Sequence, residues 1–132
     1  MDKKSRRVAI CLLTDHRDDI LMGARNDNKK FTVPGGHLEN GEDPYEGAIR
    51  EFKEETGCDV EDIKLVGSQW DKENNLLIYL FKVVADPKQM IDASKDPDNE
   101  VESWHYVNPN DVVEDLHVPI ERNLALQYWM KN

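Results

Sequence analysis

The sequence predicts an α/β fold in which a mixed β-sheet is sandwiched between helices. Two observations carry that expectation: apolar, β-branched runs stand at both ends of the chain with helical segments interspersed, and the central helix has a nearly complete set of start and stop signals. With 132 residues the chain is long enough to bury a real core and short for two, so one domain over residues 1–132 is expected.

The first two runs, "RRVAICLLTD" and "DILMGAR", flank the polar turn "HRDD" and read as an antiparallel hairpin with strands near 6–14 and 19–25. "NDNKKFTVPGG" follows as a loop with a short strand ending at Pro34-Gly35-Gly36, where the two glycines suggest a tight turn. A helix is expected from Pro44 to Thr56. Asp43 is its N-cap, Pro44 its first residue, Glu46 the partner in a capping box and Gly57 its stop. Further strands are expected at "IKLVGSQW", "NNLLIYLFKVVA" and "EVESWHYV". The polar connection from Asp86 to Asn99 carries two prolines and reads as a loop, and long loops often have functions. A helical turn is expected at Pro109. Ile120, Leu124 and Tyr128, spaced by four, predict an amphipathic closing helix in "VPIERNLALQYWMKN".

Composition narrows the chemistry. Charged residues make up 33% and apolar ones 39%, which is globular, and the formal charge is −10. That charge argues against phosphate-backbone binding as the main activity, so no nucleic-acid partner is expected. A small polyanionic substrate fits only if cations stand between it and the protein. The apolar run Val8 to Leu13 is too short to span a membrane, and the expectation is a cytoplasmic protein without a membrane partner. Cys11 and Cys58 are read as reduced, partly buried thiols.

The central helix concentrates the chemistry. At ~100° per residue, Tyr45, Ala48, Ile49 and Phe52 form the stripe that faces the sheet, while Glu51, Glu54 and Glu55 gather along a neighbouring edge. Arg50 lies four residues from both Glu46 and Glu54 and is placed to pin a carboxylate. An ordinary solvated face explains this poorly. Like charges three or four apart cost roughly 0.2–0.5 kcal/mol each, and the helix dipole disfavours carboxylates near a C-terminus. A cation would relieve both penalties. All-oxygen ligands favour Mg²⁺, with Mn²⁺ as a substitute, and the four scattered histidines show no zinc spacing.

Gly36, Glu42, Arg50, Glu51, Phe52, Glu54, Glu55 and Gly57 together resemble the signature of the Nudix hydrolases, with every fixed identity in place. Cys58 stands where an aliphatic residue is usual and serves as a small hydrophobe. The resemblance extends to "FTVPGG" and "EVESWHYVNPNDV". It implies the Nudix α/β/α sandwich and hydrolysis of a nucleoside diphosphate linked to another group.

It also implies roles. Glu51, Glu54, Glu55 and the Gly36 carbonyl would be metal ligands; Arg50 would orient the glutamates, and Glu42 would support from behind. The cations would neutralise a diphosphate, polarise phosphorus and ready a water for attack. Glu54 is favoured as the base, with a loop glutamate as its rival, Glu100 before Glu102. Arg25, with Gly35 and Gly36, is a candidate for substrate phosphate. Phe31, Trp70, Tyr79 and Trp104 are the aromatics available to a base.

The small size and "PGGHLE" look most like the MutT-type enzymes, which turn a nucleoside triphosphate into a monophosphate and pyrophosphate. Dinucleoside polyphosphates, ADP-ribose and nucleotide sugars are the alternatives, followed by a non-catalytic nucleotide-binding module. An RNA-cap hydrolase would call for a basic channel or an extra domain, and neither stands out. The chain is expected to act as a monomer or homodimer.

Overall fold

The computed structural model describes residues 6–132. Its strands are β1 (Arg7–Leu12), β2 (Ile20–Arg25), β3 (Phe31–Thr32), β4 (Gly35–His37), β5 (Val60–Asp71), β6 (Leu76–Ala85) and β7 (Val101–Val107), with helices α1 (Pro44–Thr56) and α2 (Leu124–Lys131). They form two sheets, one ordered β4-β1-β6-β5 and the other β3-β2-β7. The first is mixed, because β1 runs parallel to β6 and antiparallel to β4.

The period-2 alternation of side chains explains the layers. Ala9, Cys11, Phe81 and Val83 point into a core cluster with Ala48 and Phe52 of α1. Leu12 and Leu80 point the other way, into a cluster with Ala125 and Leu126 of α2. The sheet region is therefore covered by a helix on each side, as the sequence predicts.

The expected first hairpin is not one. The chain does reverse between Leu13 and Ile20, where the Leu21 amide donates to Leu13 O at 2.9 Å and Thr14 and Ile20 form an isolated bridge. Beyond that point the two strands part into different sheets. Both edges of β1 are taken, by β4 and β6, so β2 pairs with β3 and β7 instead. Glycine at Gly23 suits the crowding there: a Cβ would strike the Val101 side chain.

Helix α1 begins and ends as expected. Asp43 accepts from the Glu46 amide at 3.2 Å, Pro44 opens the helix, and Gly57 closes it with φ 75° while its amide donates to Lys53 O at 2.9 Å. The closing helix starts later than expected. Its N-cap is Asn123, whose Oδ1 accepts from the Leu126 amide, and Ile120 belongs to a preceding 3₁₀ turn. Asparagine satisfies a free amide there, which apolar spacing alone does not reveal.

Gly35 and Gly36 do not form a tight turn either. They are strand β4, with Gly35 opposite Ile10 and Gly36 opposite Ala9. Gly35 has φ 153°, and a Cβ on it would strike the Ala9 carbonyl. Glycine at this position lets the strand lie tightly against β1.

The connection 86–99 packs down on the end of α1. The Asp92 amide donates to Thr56 O at 2.8 Å, Ala93 is buried in a short 3₁₀ turn, and the Lys95 stem lies where a Cβ of Gly57 would stand. This docking brings the start of β7 to the C-terminal end of the helix.

Candidate active site

Helix α1 is turned relative to the face predicted from apolar spacing. Ala48 and Phe52 are fully buried, but Tyr45 and Ile49 are each about two-fifths exposed, at 40% and 39%. In their place the helix buries Glu55, which is 6% exposed, and Thr56. A carboxylate can replace an apolar residue on the inner face because it has a partner: Glu55 Oε1 accepts from the Gly35 amide at 2.7 Å. The indole Nε1 of Trp104 donates to the Glu55 carbonyl at 3.2 Å, satisfying one of the acceptors left over at the end of a helix.

Around Glu55 the chain gathers acids from α1 and from the loop that leads into β7. One oxygen each of Glu55, Asp96 and Glu100 lies within 4.8 Å of the others. Glu51 lies alongside, its carboxylate filling the space beside Gly36: a Cβ on that glycine would stand 2.5 Å from Glu51 Oε2. Burial, reinforced by Glu51, Glu100 and Asp96 and opposed by the Gly35 amide, pushes Glu55 up to about 9. Burial raises Glu51 as well, although Arg50 works against it.

Arg50 organises the outer side. Its Nε and Nη2 hold Glu42 bidentately at 2.8 and 2.9 Å, and Nη1 reaches Glu51 at 3.0 Å and Glu54 at 3.2 Å. Its upstream partner is thus Glu42, eight residues away, rather than Glu46; the loop before α1 folds back and delivers it. The Arg50 fork, with help from the Glu39 amide, holds the Glu42 carboxyl below the usual range. Glu54 is the outermost of the three helix glutamates, its side chain 43% exposed against 16% for Glu51.

The loop glutamates separate cleanly. Glu100 joins the cluster, whereas Glu102 is drawn away from it into a pair with Lys29 at 2.7 Å. Arg25, at the end of β2, holds Asp27 bidentately at 2.9 and 2.8 Å. Asp96 escaped the sequence reading. Its one signal was its place in a long polar connection, and its side chain also caps that loop by accepting from the Asp98 and Glu100 amides.

On the face of β1 opposite α1 there is a cavity of about 300 Å³. Val8, Ile10, Phe31, Val33, Ile78 and Leu124 supply apolar wall, and Asp71, Asn74, His117, Arg122 and Asn123 its polar part. Of the four aromatics considered for a base, Phe31 alone lines it. Trp104 is in the core, Tyr79 packs against the same core, and Trp70 stands 52% exposed on β5.

The sequence profile of the NUDIX domain matches residues 4–128. The chain belongs to the Nudix family. Nudix hydrolase 25 of Arabidopsis thaliana is 25% identical over 129 residues, covering 81% of this chain and 74% of that one. An RNA pyrophosphohydrolase of Legionella pneumophila is 31% identical over 121 residues, covering 76% and 67%. The NAD-capped RNA hydrolase NudC of Salmonella typhi is 30% identical over 104 residues, 70% of this chain but 40% of its own length. Among solved structures, MutT of Bacillus halodurans superposes with a TM-score of 0.60 at 24% identity over 83% of this chain and 72% of that one. A Nudix hydrolase from Nitrosomonas europaea gives 0.70 at 19% over 89% and 66%. The fold is thus the Nudix α/β/α sandwich, and the protein is a Nudix hydrolase acting on nucleotide-derived substrates.

Proposed function

We propose that this Nudix hydrolase cleaves a diphosphate linkage in a nucleoside triphosphate, deoxy or ribo, releasing a monophosphate and pyrophosphate. The observation that carries the reading is the convergence of Glu51, Glu55, Asp96 and Glu100 beside Gly36. The buried Glu55 is repelled by the acids beside it, and it retains a proton unless a cation takes its place. The donors are all oxygen, which suits Mg²⁺ or Mn²⁺. Glu51, Glu54, Glu55 and the Gly36 carbonyl would hold the ion, with Glu100 and Asp96 beside them. When bound, it supplies charge neutralisation and Lewis acidity toward phosphorus.

The chain's own groups do the rest. Glu54, outermost and held by Arg50, accepts the proton of the attacking water as its oxygen bonds to phosphorus and the bridging P–O bond breaks. Arg50 fixes Glu51 and Glu54 in one arrangement, and Glu42 holds Arg50 in turn. Arg25 and the Gly35-Gly36 strand face the substrate phosphates. The cavity under Phe31 receives the base; about 300 Å³ is the lower end of the usual range for ligand sites.

A single domain over residues 1–132, cytoplasmic and acting as a monomer or homodimer, completes the proposal. Among the described residues no helix is long and apolar enough to cross a membrane. One second reading has an observation behind it. The Legionella relative is an RNA pyrophosphohydrolase, so a 5′-triphosphate RNA end belongs among the candidates. The formal charge of −10 opposes a long polyanion, which puts the mononucleotide first.

The test is a panel of canonical and oxidised nucleoside triphosphates, dinucleoside polyphosphates, ADP-ribose, nucleotide sugars and 5′-triphosphate RNA, with Mg²⁺ or Mn²⁺. Wild type should release pyrophosphate from a triphosphate, and Glu54→Gln should lose that activity with its fold unchanged. Full turnover in Glu54→Gln, with loss in Glu100→Gln, would move the base to the loop.

A further inference from the structure

The sequence reading offered Arg25 to a substrate phosphate, yet in the structure its fork is already filled. Nε meets Asp27 Oδ1 at 2.9 Å and Nη2 meets Oδ2 at 2.8 Å, two parallel charge-assisted bonds of the kind a phosphate also makes. The turn that carries Asp27 is tied down at both ends. On one side the Asn26 amide donates to Glu100 O at 2.9 Å and Arg25 stands opposite Val101, next to the carboxylate cluster. On the other, Asn28 Nδ2 meets His117 Nδ1 at 3.1 Å, at the wall of the cavity. The turn that begins at Arg25 therefore spans from the proposed site of hydrolysis to the proposed base site.

The two partners differ in freedom. The Arg25 side chain is 26% exposed and rooted in a strand, while the Asp27 side chain is 60% exposed on a turn. The Arg25 guanidinium holds Asp27 down to about 2, so the carboxylate stays charged across the physiological range. An exposed carboxylate on a turn can swing out; the arginine cannot follow far.

We propose that Asp27 is a built-in occupant of the Arg25 fork, displaced by substrate phosphate, so that it sets the affinity threshold for anions entering the site. The free protein then presents a neutral pair instead of an arginine open to any carboxylate or monoanion. A polyphosphate, with more charge per group, wins the exchange. The proposal rests on the reading that substrate phosphates reach this site.

Calorimetric titration with inorganic pyrophosphate in Mg²⁺ separates the two ideas, because it requires no turnover. Asp27→Asn should tighten pyrophosphate by about two- to fivefold, the range of an exposed ion pair. Asp98→Asn, which removes the same charge from another exposed turn, should change binding less, and in an Arg25→Gln background Asp27→Asn should have no effect. Equal tightening in the Asp27 and Asp98 variants, persistence of the effect without Arg25, or weakened binding in Asp27→Asn would each overturn the displaced-occupant role while leaving the hydrolase reading intact. Wild type that binds no pyrophosphate would refute both.

Discussion

Replacing Glu55 by glutamine tests the electrostatics of the site without touching substrate. The folded protein holds the Glu55 proton up to about 9, against an ordinary 4.5. Between those values the native state binds more protons than the unfolded chain, so stability falls as pH rises through the window. At ~1.36 kcal/mol per pH unit the cost is about 3 kcal/mol at pH 7 and approaches about 6 kcal/mol at pH 9. Glutamine is neutral, keeps an oxygen for the Gly35 amide and offers its NH₂ to the surrounding acids. In EDTA, Glu55→Gln should therefore match wild type near pH 4.5 and be more stable by about 3 kcal/mol at pH 7. For a chain of this length that is a gain of about 10 °C in Tm. The assay is thermal and urea unfolding from pH 4.5 to 9 with metal removed. Parallel stability curves for the two proteins would refute the buried-proton argument. Saturating Mg²⁺ should reverse the order, since wild type gains from the ion and the variant does not.

Four further outcomes follow from the same geometry. At pH 7, Mg²⁺ binding should release close to one proton, which titration in buffers of different ionisation enthalpy measures; affinity should rise with pH toward 9 as that proton becomes easier to lose. Gly36→Ala places a methyl against the Glu51 carboxylate, the free end of a side chain, and should weaken metal binding about tenfold, equivalent to ~1.4 kcal/mol, with little loss of Tm. Gly35→Ala, by contrast, meets the β1 backbone at φ 153° and should cost about 1–3 kcal/mol of stability. Arg50→Lys cannot hold Glu42 bidentately while reaching Glu51 and Glu54; it should lose about 1–3 kcal/mol in denaturant titration and most of kcat.

What a sequence can show is set by how local the physics is. Helix α1 was legible from Asp43, Pro44 and Gly57 because capping is decided within a turn or two. The glutamates of α1 were legible because spacing on one helix fixes which of them share an edge. Glu100 ranks above Glu102 in sequence on its closeness to the polar connection; that Glu102 pairs with Lys29, and so lies apart from the acidic cluster, is visible only in the fold. The helix face was misplaced by part of a turn because apolar spacing leaves the carboxylates at the edge of the buried stripe and carries no information about a polar partner on the sheet. The Gly35 amide, brought by a different strand, gives the buried Glu55 carboxylate a partner. The first hairpin was misread for a similar reason: whether β1 has an edge left for β2 depends on β4 and β6, one of them more than sixty residues away.

By itself, then, the sequence determined the family, the α/β/α class and the row of helix glutamates with Arg50, since these rest on identities at fixed spacing along one short segment. Tertiary structure alone decided that Glu42 rather than Glu46 anchors Arg50, that Asp96 and Glu100 close on Glu55, and that Asp27 fills the Arg25 fork. Those contacts join residues whose separation in sequence carries no information about their distance, and they form because the connection 86–99 docks on the end of α1 and the turn after β2 folds back beside β7.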